Sequence, residues 1–226
     1  ALWLGFPSHG DLWEDNLEPA QREVAALARV LAGPGAERVR LLVCGERAAA
    51  AARSLLPGVP GIEIVHGEFG DIWLRDTGPL FYVEGEQVKA AGFRFNGWGG
   101  KYVLEGDDTV AEQIAAASGA PLLQHDFVLE GGALDHDGSG SVLTTRQCLL
   151  NPNRNPGLGQ AEVEAALAAA LGVKPVLWLG DGLLNDHTDG HVDNLARFVA
   201  PGVVACPIAF GRKDPNAYVY DQTARR

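Results

Sequence analysis

Two short segments of the chain concentrate the residue types that could carry out chemistry. The histidine segment, Asp186–Asn194, holds three aspartates and two histidines in nine positions. The tryptophan segment, Gly70–Pro79, combines carboxylates, an aromatic ring and glycines. Each segment stands directly before an apolar run, where dense charge is costly to bury without a cationic partner or a proton to move. We therefore interpret the two segments as halves of one active site.

These side chains suit the chemistry of a guanidinium group. That group is planar and permanently cationic, and its paired N–H donors match a carboxylate in bidentate fashion. Attack on its central carbon needs a nucleophile, and the departure of ammonia needs an acid, for which histidine is well placed near neutral pH. His191 and Asp193 lie two positions apart, so on a strand both would point into one pocket.

Two further residues fit this chemistry, and each also has a purely structural interpretation. The ring of Trp73, three residues before Asp76, could line the apolar arm of a cationic substrate, or it could be a core residue. Glu130 follows the apolar run Phe127–Leu129 and precedes two glycines, which allow a ligand to approach the backbone closely. The alternative for Glu130 is a capped turn.

The histidine segment also permits a metal-site interpretation, because His and Asp are common metal ligands. His187 and His191 stand four apart, but a helix presenting both would have to include Gly190 and two β-branched residues. We therefore expect no metal and no cofactor. A metal-dependent hydrolase using His187 and His191 remains an alternative.

Composition limits the kinds of partner that this protein could bind. The 226 residues are 46% hydrophobic and 21% charged, as in ordinary globular proteins, and the net charge of -11 argues against nucleic acid and favours a cationic ligand. No apolar segment reaches the roughly 18 residues of a membrane span. Cys44, Cys148 and Cys206 form no CxxC pair, so we interpret all three as structural, reduced thiols and expect a cytoplasmic protein.

The order of elements along the chain suggests an internal repeat. The acids Asp76, Glu130 and Asp193 lie 54 and 63 positions apart, and each precedes a predicted β-hairpin. The pattern predicts helices near Leu17–Leu31, Glu46–Leu56, Asp108–Ser118 and Gly159–Leu171, and strands near Val39–Cys44, Ile62–Val65, Leu80–Val83, Val88–Phe95, Ser141–Thr145, Leu195–Val199 and Val203–Ile208. A circular α/β repeat follows, with an ordinary open α/β sheet as the alternative.

Several ordered blocks together resemble the agmatine deiminase family of guanidino-group modifying enzymes, relatives of the bacterial peptidylarginine deiminases. The blocks are Trp73–Pro79, Phe95–Tyr102, Leu129–Gly132, Cys148–Pro156 and Asp189–Asn194. The resemblance implies a pentein α/β propeller of ββαβ units around a pseudo-fivefold axis, formed by residues 1–226 as a single domain. It also implies hydrolysis of agmatine to N-carbamoylputrescine and ammonia, a step of putrescine biosynthesis.

The resemblance also assigns roles to individual residues. Asp76 and Asp193 would grip the guanidinium of a small cationic substrate, and His191 would be the general acid and base. Glu130 would complete the acidic pocket, and Trp73 would line it. Catalysis would pass through a covalent amidino-cysteine intermediate.

The chain departs from the family pattern in one respect. Family members carry the nucleophilic cysteine in a glycine-rich segment ending in His-Cys near the C-terminus, and no such segment occurs in these 226 residues. We therefore expect a propeller that lacks its last unit, a chain that does not turn over by itself, and exposed edges that favour a homo-oligomer. Arginine or peptidylarginine as the substrate, and a non-catalytic guanidino-binding module, remain alternatives.

Overall fold

The computed structural model describes residues 1–211 and 213–226 as a mixed α/β fold of short strands and helices. The strands are β1 Leu2–Gly5, β2 Val39–Val43, β3 Ile62–His66, β4 Leu80–Glu84, β5 Gln87–Arg94, β6 Leu122–Val128, β7 Asp135–His136, β8 Val142–Thr145, β9 Val176–Leu179, β10 Arg197–Ala200 and β11 Val203–Ala205. The α-helices are α1 Gly10–Trp13, α2 Leu17–Ala32, α3 Gly45–Leu55, α4 Leu74–Thr77, α5 Gly97–Gly100, α6 Val110–Ser118, α7 Arg146–Leu149, α8 Gln160–Leu171 and α9 Ala217–Arg225.

The chain divides into two compact units. Unit 1 comprises Ala1–Gly78 and Leu104–Ala120, and unit 2 comprises Pro79–Val103 and Pro121–Arg226. The organisation of residues 1–226 as one propeller domain stays a prediction.

Unit 1 is built on a parallel sheet with the strand order β1-β2-β3. The helices α2 and α3 connect these strands, as parallel pairing requires a crossover. Both helices present small residues to the sheet, with Ala25, Ala28, Ala48, Ala49 and Ala52 buried. Because alanine has a short side chain, the helices approach Val39, Leu41 and Val43 of the central strand closely and form one core with them.

Unit 2 contains two sheets with the same strand arrangement. In each, an antiparallel hairpin is followed by a strand parallel to the second hairpin strand, giving the orders β4-β5-β6 and β7-β8-β9. Helix α8 makes the crossover from β8 to β9, and its Val163 and Leu167 are fully buried in the main core of the unit. The hairpin β10-β11 forms a two-stranded sheet.

The structure confirms the predicted mixed α/β class and most element positions. The helix predicted over Leu17–Leu31 spans Leu17–Ala32, and the hairpin predicted after Asp76 is β4-β5. The strands β1, β6 and β9, each of which pairs in parallel with another strand, were not predicted from the sequence. Among the helices of the described residues, none combines the length and the apolar character that crossing a membrane demands.

Candidate active site

Glu130 is buried where the chain leaves β6. The apolar residues Phe127 and Leu129 draw this strand end into the core, and Glu130 follows in extended conformation with no exposed surface. Asn155 fixes the strand end, because its side-chain amide accepts from the backbone N–H of Val128 at 2.9 Å and donates to the Val128 carbonyl at 2.9 Å. A carboxylate in this position needs a compensating charge.

Arg154 supplies that charge. Its Nε and Nη2 donate to Oε1 of Glu130 at 3.0 and 2.9 Å, and both side chains are completely buried. The Nη2 group also donates to the carbonyl of Thr188 at 2.8 Å. Burial lowers the pKa of Arg154, but the charges of Glu130 and Cys148 and the hydrogen bonds to Glu130 and Asp189 raise it above its ordinary value. The guanidinium therefore ties Glu130 to the histidine segment.

Asp189 is the second anion of this network. It accepts hydrogen bonds from Lys101 and Arg154, and from the side-chain amide of Asn153 at 2.9 Å. Burial alone would raise its pKa, but these three donors lower the pKa below the ordinary range. Asp189 has a positive φ of 63°, a conformation that few residues other than glycine adopt. Its role is to hold the loop.

Asp186 organises the backbone that leads to His191. Its Oδ2 accepts from the Thr188 hydroxyl at 2.6 Å, from the Gly190 N–H at 2.9 Å and from the His191 N–H at 3.0 Å. Burial raises the pKa of this carboxyl, but the hydrogen bonds outweigh burial and the pKa is lowered. Two of the three aspartates of the histidine segment, Asp186 and Asp189, therefore shape the loop.

Glycine at position 190 is a packing requirement. Its φ is 88°, and a Cβ at this position would lie 2.7 Å from Oε1 of Gln147 and 3.0 Å from the backbone nitrogen of Gly182. The hydroxyl of Thr145 donates to the Gly190 carbonyl at 2.5 Å. The close passage of two backbone segments thus fixes the position from which His191 emerges.

His191 is buried, with 2% of its surface exposed, and its Nδ1 lies 4.0 Å from Oδ1 of Asp193. His191 and Asp193 do not share a strand, because Val192–Asn194 form a 3₁₀ turn that begins after His191. The turn nevertheless keeps the carboxylate near the ring. Burial lowers the pKa of His191, while the charges of Glu130 and Asp193 raise it part of the way back.

Cys148 completes the buried cluster. It lies in the short helix α7, which the side chain of Thr145 caps by accepting from the Cys148 N–H at 3.2 Å. Its Sγ, a carboxylate oxygen of Glu130 and a ring nitrogen of His191 all lie within 4.8 Å of one another. The prediction treated Cys148 as a structural thiol without identifying these neighbours.

Trp73 and Asp76 lie in unit 1. Asp76 is half-buried in the short helix α4, and Trp73 immediately precedes that helix. Trp73 is 54% exposed, so it is not a core residue, and its indole N–H donates to Oδ2 of Asp71 at 2.8 Å. The buried Asp107 holds the start of the segment by accepting from the Gly70 N–H at 2.8 Å and the Asp71 N–H at 3.3 Å.

His187 does not share a metal site with His191 in the described part of the chain. The residues between them form turns rather than a helix, and His187 is exposed. Its Nδ1 lies 2.6 Å from the hydroxyl of Tyr102, and the two rings are stacked. Within residues 1–211 and 213–226, the cluster of three potential metal ligands is Glu130, Cys148 and His191.

Unit 2 therefore contains a carboxylate, an imidazole and a thiol in a protein-enclosed, low-dielectric setting. A histidine with a lowered pKa is a neutral base near pH 7, and adjacent anions stabilise it once it takes up a proton. This arrangement is suited to proton transfer beside a cationic group.

The sequence interpretation missed the cations of the site, Lys101 and Arg154, and the structural role of Asp189. One signal was present, because Arg154 stands in the loop Asn151–Pro156 between residues that favour turns. A buried acid must find a cation, so an arginine fixed in such a loop was a candidate partner for Glu130.

The comparisons with known proteins agree on one family. The family model of the Porphyromonas-type peptidyl-arginine deiminases matches residues 1–226. The chain is 40% identical over 221 residues to the agmatine deiminase of Stutzerimonas stutzeri, covering 95% of this chain and 59% of that protein. It is 39% identical over 231 residues to the agmatine deiminase of Pseudomonas aeruginosa, covering 99% and 61%.

Solved structures give the same result. The agmatine deiminase of Enterococcus faecalis superimposes with a TM-score of 0.90 at 33% identity, covering 99% of this chain and 62% of that chain. A substrate-bound agmatine deiminase of C. jejuni superimposes with a TM-score of 0.89 at 29% identity, covering 99% and 66%. The chain thus spans about 60% of the length of the curated relatives that it matches.

Proposed function

The chain belongs to the Porphyromonas-type peptidyl-arginine deiminase family, and on this premise we propose that the complete protein hydrolyses agmatine to N-carbamoylputrescine and ammonia. The relatives named agmatine deiminase, at 39% and 40% identity, support this choice of substrate. The observation that carries the proposal is the buried pair of Glu130 and His191, whose polar atoms lie within 4.8 Å of each other. In this proposal the reaction is a step of putrescine biosynthesis.

The proposed roles follow from charge and shape. Asp76 and Asp193 hold the guanidinium of the substrate, and Glu130 adds a third carboxylate. Trp73 offers an exposed ring, to which an apolar arm that ends in a cation can bind. His191 transfers protons. Burial lowers its pKa, so the ring can act as a neutral base, and the neighbouring anions stabilise the ring once it is protonated.

The chemistry proceeds in two steps. A cysteine thiolate forms a bond to the guanidino carbon, the C–N bond to one terminal nitrogen breaks, and protonated His191 donates a proton to the leaving ammonia. Neutral His191 then takes a proton from water, the hydroxide adds to the amidino carbon, and the C–S bond breaks to expel the thiolate. The proton of the added hydroxyl leaves through solvent to ammonia, and N-carbamoylputrescine is released. Protons and electron pairs balance without a metal or a redox partner.

We assign the nucleophile to a thiol other than Cys44, Cys148 and Cys206. Cys148 is completely buried in α7, and the pKa of Cys44 is raised, first by burial and then by a hydrogen bond to Glu68. Neither property favours a reactive thiolate. In the complete protein, Cys148→Ala should therefore retain a folded, active enzyme. Loss of turnover with unchanged folding would instead identify Cys148 as the nucleophile.

We also propose the pentein architecture, a single domain of ββαβ units from which one unit is absent in residues 1–226. The repeated order of hairpin and parallel strand in β4-β5-β6 and β7-β8-β9 supports such units. The chain covers 62% of the Enterococcus faecalis structure, which leaves room for further units in a longer protein. A solved structure of the complete protein would test the unit count directly.

The decisive experiment is a substrate comparison on the complete protein. Agmatine, free arginine and a peptidyl-arginine are assayed side by side for formation of the carbamoyl product, and agmatine should be preferred. His191→Asn should lower kcat by about 10²- to 10⁴-fold. His136→Asn, which changes an exposed histidine, is the matched control and should leave kcat unchanged.

The alternatives predict other outcomes of the same experiment. Preference for arginine or peptidyl-arginine would replace agmatine while keeping the reaction. Calorimetric binding of agmatine without turnover by the complete protein would indicate a non-catalytic guanidino-binding module. Loss of activity with a chelator would favour a metal-dependent hydrolase. The cytoplasmic location, the absence of nucleic-acid partners and the homo-oligomer stay predictions.

A further inference from the structure

We propose that Glu130, Cys148 and His191 form a binding site for a thiophilic divalent cation, with Zn²⁺ as the prototype. The proposal starts from geometry, because one potential ligand atom from each side chain lies within 4.8 Å of the other two. Zinc binds sulfur at about 2.3 Å and nitrogen or oxygen at about 2.0–2.2 Å in a tetrahedral arrangement, so two ligand atoms on one ion lie about 3.3–3.7 Å apart. Side-chain adjustments on the order of 1 Å would close the set around an ion.

The donor types select the ion. A thiolate, an imidazole and a carboxylate together form a ligand set that is typical of zinc sites. The soft sulfur ligand disfavours Mg²⁺ and Ca²⁺, which prefer oxygen ligands alone. With three protein ligands, a fourth position stays available for water or for a group on a bound molecule.

The surrounding charges also fit a divalent cation. Arg154 and Lys101 balance Glu130 and Asp189 through direct ion pairs. Binding of a divalent cation would release the thiol proton of Cys148. The ion would then balance the new thiolate and the carboxylate of Asp193, both of which lie close to His191.

The residues around the cluster would orient its ligands. Asp193 lies 4.0 Å from Nδ1 of His191, so Nε2 is the ring nitrogen that would bind the ion, with the carboxylate behind the ring. Arg154 holds Glu130 through two hydrogen bonds to Oε1 and a longer one of 3.4 Å to Oε2, and a carboxylate has further lone pairs for a metal. A carboxylate behind a ligating histidine typically raises metal affinity.

Occupation of this site would inhibit the proposed deiminase, and this consequence rests on the proposed function. The ion would engage the imidazole that transfers protons and the carboxylate that faces the substrate. Binding itself does not depend on any catalytic activity. Because the three side chains are buried, the ion and the proposed substrate alike can reach them only when the surrounding loops open locally.

The test uses Co²⁺ as a spectroscopic substitute for Zn²⁺ on the complete protein. Cobalt bound to a thiolate gives a charge-transfer absorption in the near ultraviolet, which zinc then abolishes by displacement. We expect one such site, and Cys148→Ser should remove its absorption. His191→Asn should weaken zinc binding, measured by calorimetry, by about 100-fold or more.

Matched controls separate this site from adventitious binding. Cys44→Ala and Cys206→Ala remove the other two thiols of the 226 residues and should leave the absorption unchanged. Circular dichroism checks that each variant is folded, and Glu130→Gln provides a third ligand variant if Cys148→Ser does not fold. Cobalt absorption that survives Cys148→Ser, or that disappears with Cys44→Ala, would overturn the proposal. Neither result depends on whether agmatine is hydrolysed.

Discussion

The histidine segment and the tryptophan segment look alike in sequence but are stabilised in different ways. In the histidine segment, half-buried aspartates are tied to the core, with Arg154 joining Asp189 to the buried Glu130. In the tryptophan segment, Asp71 instead fixes an exposed indole ring through one hydrogen bond of 2.8 Å. Clustered acids in a motif therefore do not have a single role, since Asp186 and Asp189 support a loop while Asp71 orients an aromatic ring.

The energetic consequence of this difference is also clear. Breaking a buried ion pair leaves an uncompensated charge and is strongly destabilising, whereas an exposed side chain contributes little to folding. Substitutions in the two segments should therefore separate stability from ligand binding.

Arg154→Met should be the most destabilising substitution. It leaves Glu130 buried without its cation and removes a donor to Asp189, so the free energy of unfolding should fall by about 3–5 kcal/mol. Denaturant unfolding followed by circular dichroism measures this change. The double variant Arg154→Met with Glu130→Gln should recover part of the loss, because no buried charge is then left unpaired. If Arg154→Met lowers the free energy of unfolding by less than about 1 kcal/mol, the ion pair of Arg154 and Glu130 does not stabilise the histidine segment.

Asp186→Ala should have the next largest effect. The substitution removes the acceptor for Thr188, Gly190 and His191, and leaving these donors unsatisfied should lower the free energy of unfolding by about 1–3 kcal/mol. The matched control is Asp181→Ala, which changes an exposed aspartate shortly before the histidine segment. Its free energy of unfolding should stay within about 0.5 kcal/mol of that of the parent protein. Equal effects of the two substitutions would contradict the assigned role of Asp186.

His191 should make stability depend on pH. Its pKa is lowered in the folded state, so the unfolded chain binds the proton more readily and stability falls as the pH drops through the ordinary histidine value of 6.5. The slope contributed by one group is at most roughly 1.4 kcal/mol per pH unit. Denaturant titrations between pH 7.5 and 5 should therefore show a decline, at about those pH values, that His191→Asn reduces and His136→Asn does not. A steeper decline in His191→Asn would reverse the assignment.

The comparison also explains which features could be predicted from sequence. The helices α2 and α8 and the hairpin β4-β5 follow from local apolar spacing and turn residues, and these predictions agree with the structure. The chemistry-bearing residues Glu130 and His191 could be named because their types and flanking glycines are unusual. Their individual roles in catalysis stay predictions.

Other features depend on contacts that no local pattern encodes. The parallel strands β6 and β9 pair with strands that lie more than 30 residues earlier, as Ala90 with Leu122 and Val142 with Val176, and no local turn signal marks such pairing. The contact of Arg154 with Glu130 spans 24 residues, and its contact with Asp189 spans 35. The residues Val192–Asn194 form a turn rather than extended backbone, because hydrogen bonds to Asp186 curve the chain just before it. The part of the site that sequence spacing could not predict is therefore the part formed by ion pairs between residues far apart in sequence.

Trp73→Leu should have the smallest effect on stability and a clear effect on binding. The ring is 54% exposed, so its loss should change the free energy of unfolding by no more than about 0.5 kcal/mol. If the ring contacts the cationic substrate, calorimetry on the complete protein should show agmatine binding weakened by about 3- to 30-fold, equivalent to about 0.5–2 kcal/mol.

Trp73→Phe separates the two functions of this side chain, because it keeps an aromatic ring and removes the hydrogen bond to Asp71. Affinity close to that of the parent protein would assign binding to the ring face, and affinity as low as that of Trp73→Leu would assign it to the orientation set by Asp71. A large loss of stability in either variant would mean that this segment is supported in the same way as the histidine segment, and the contrast between them would fail.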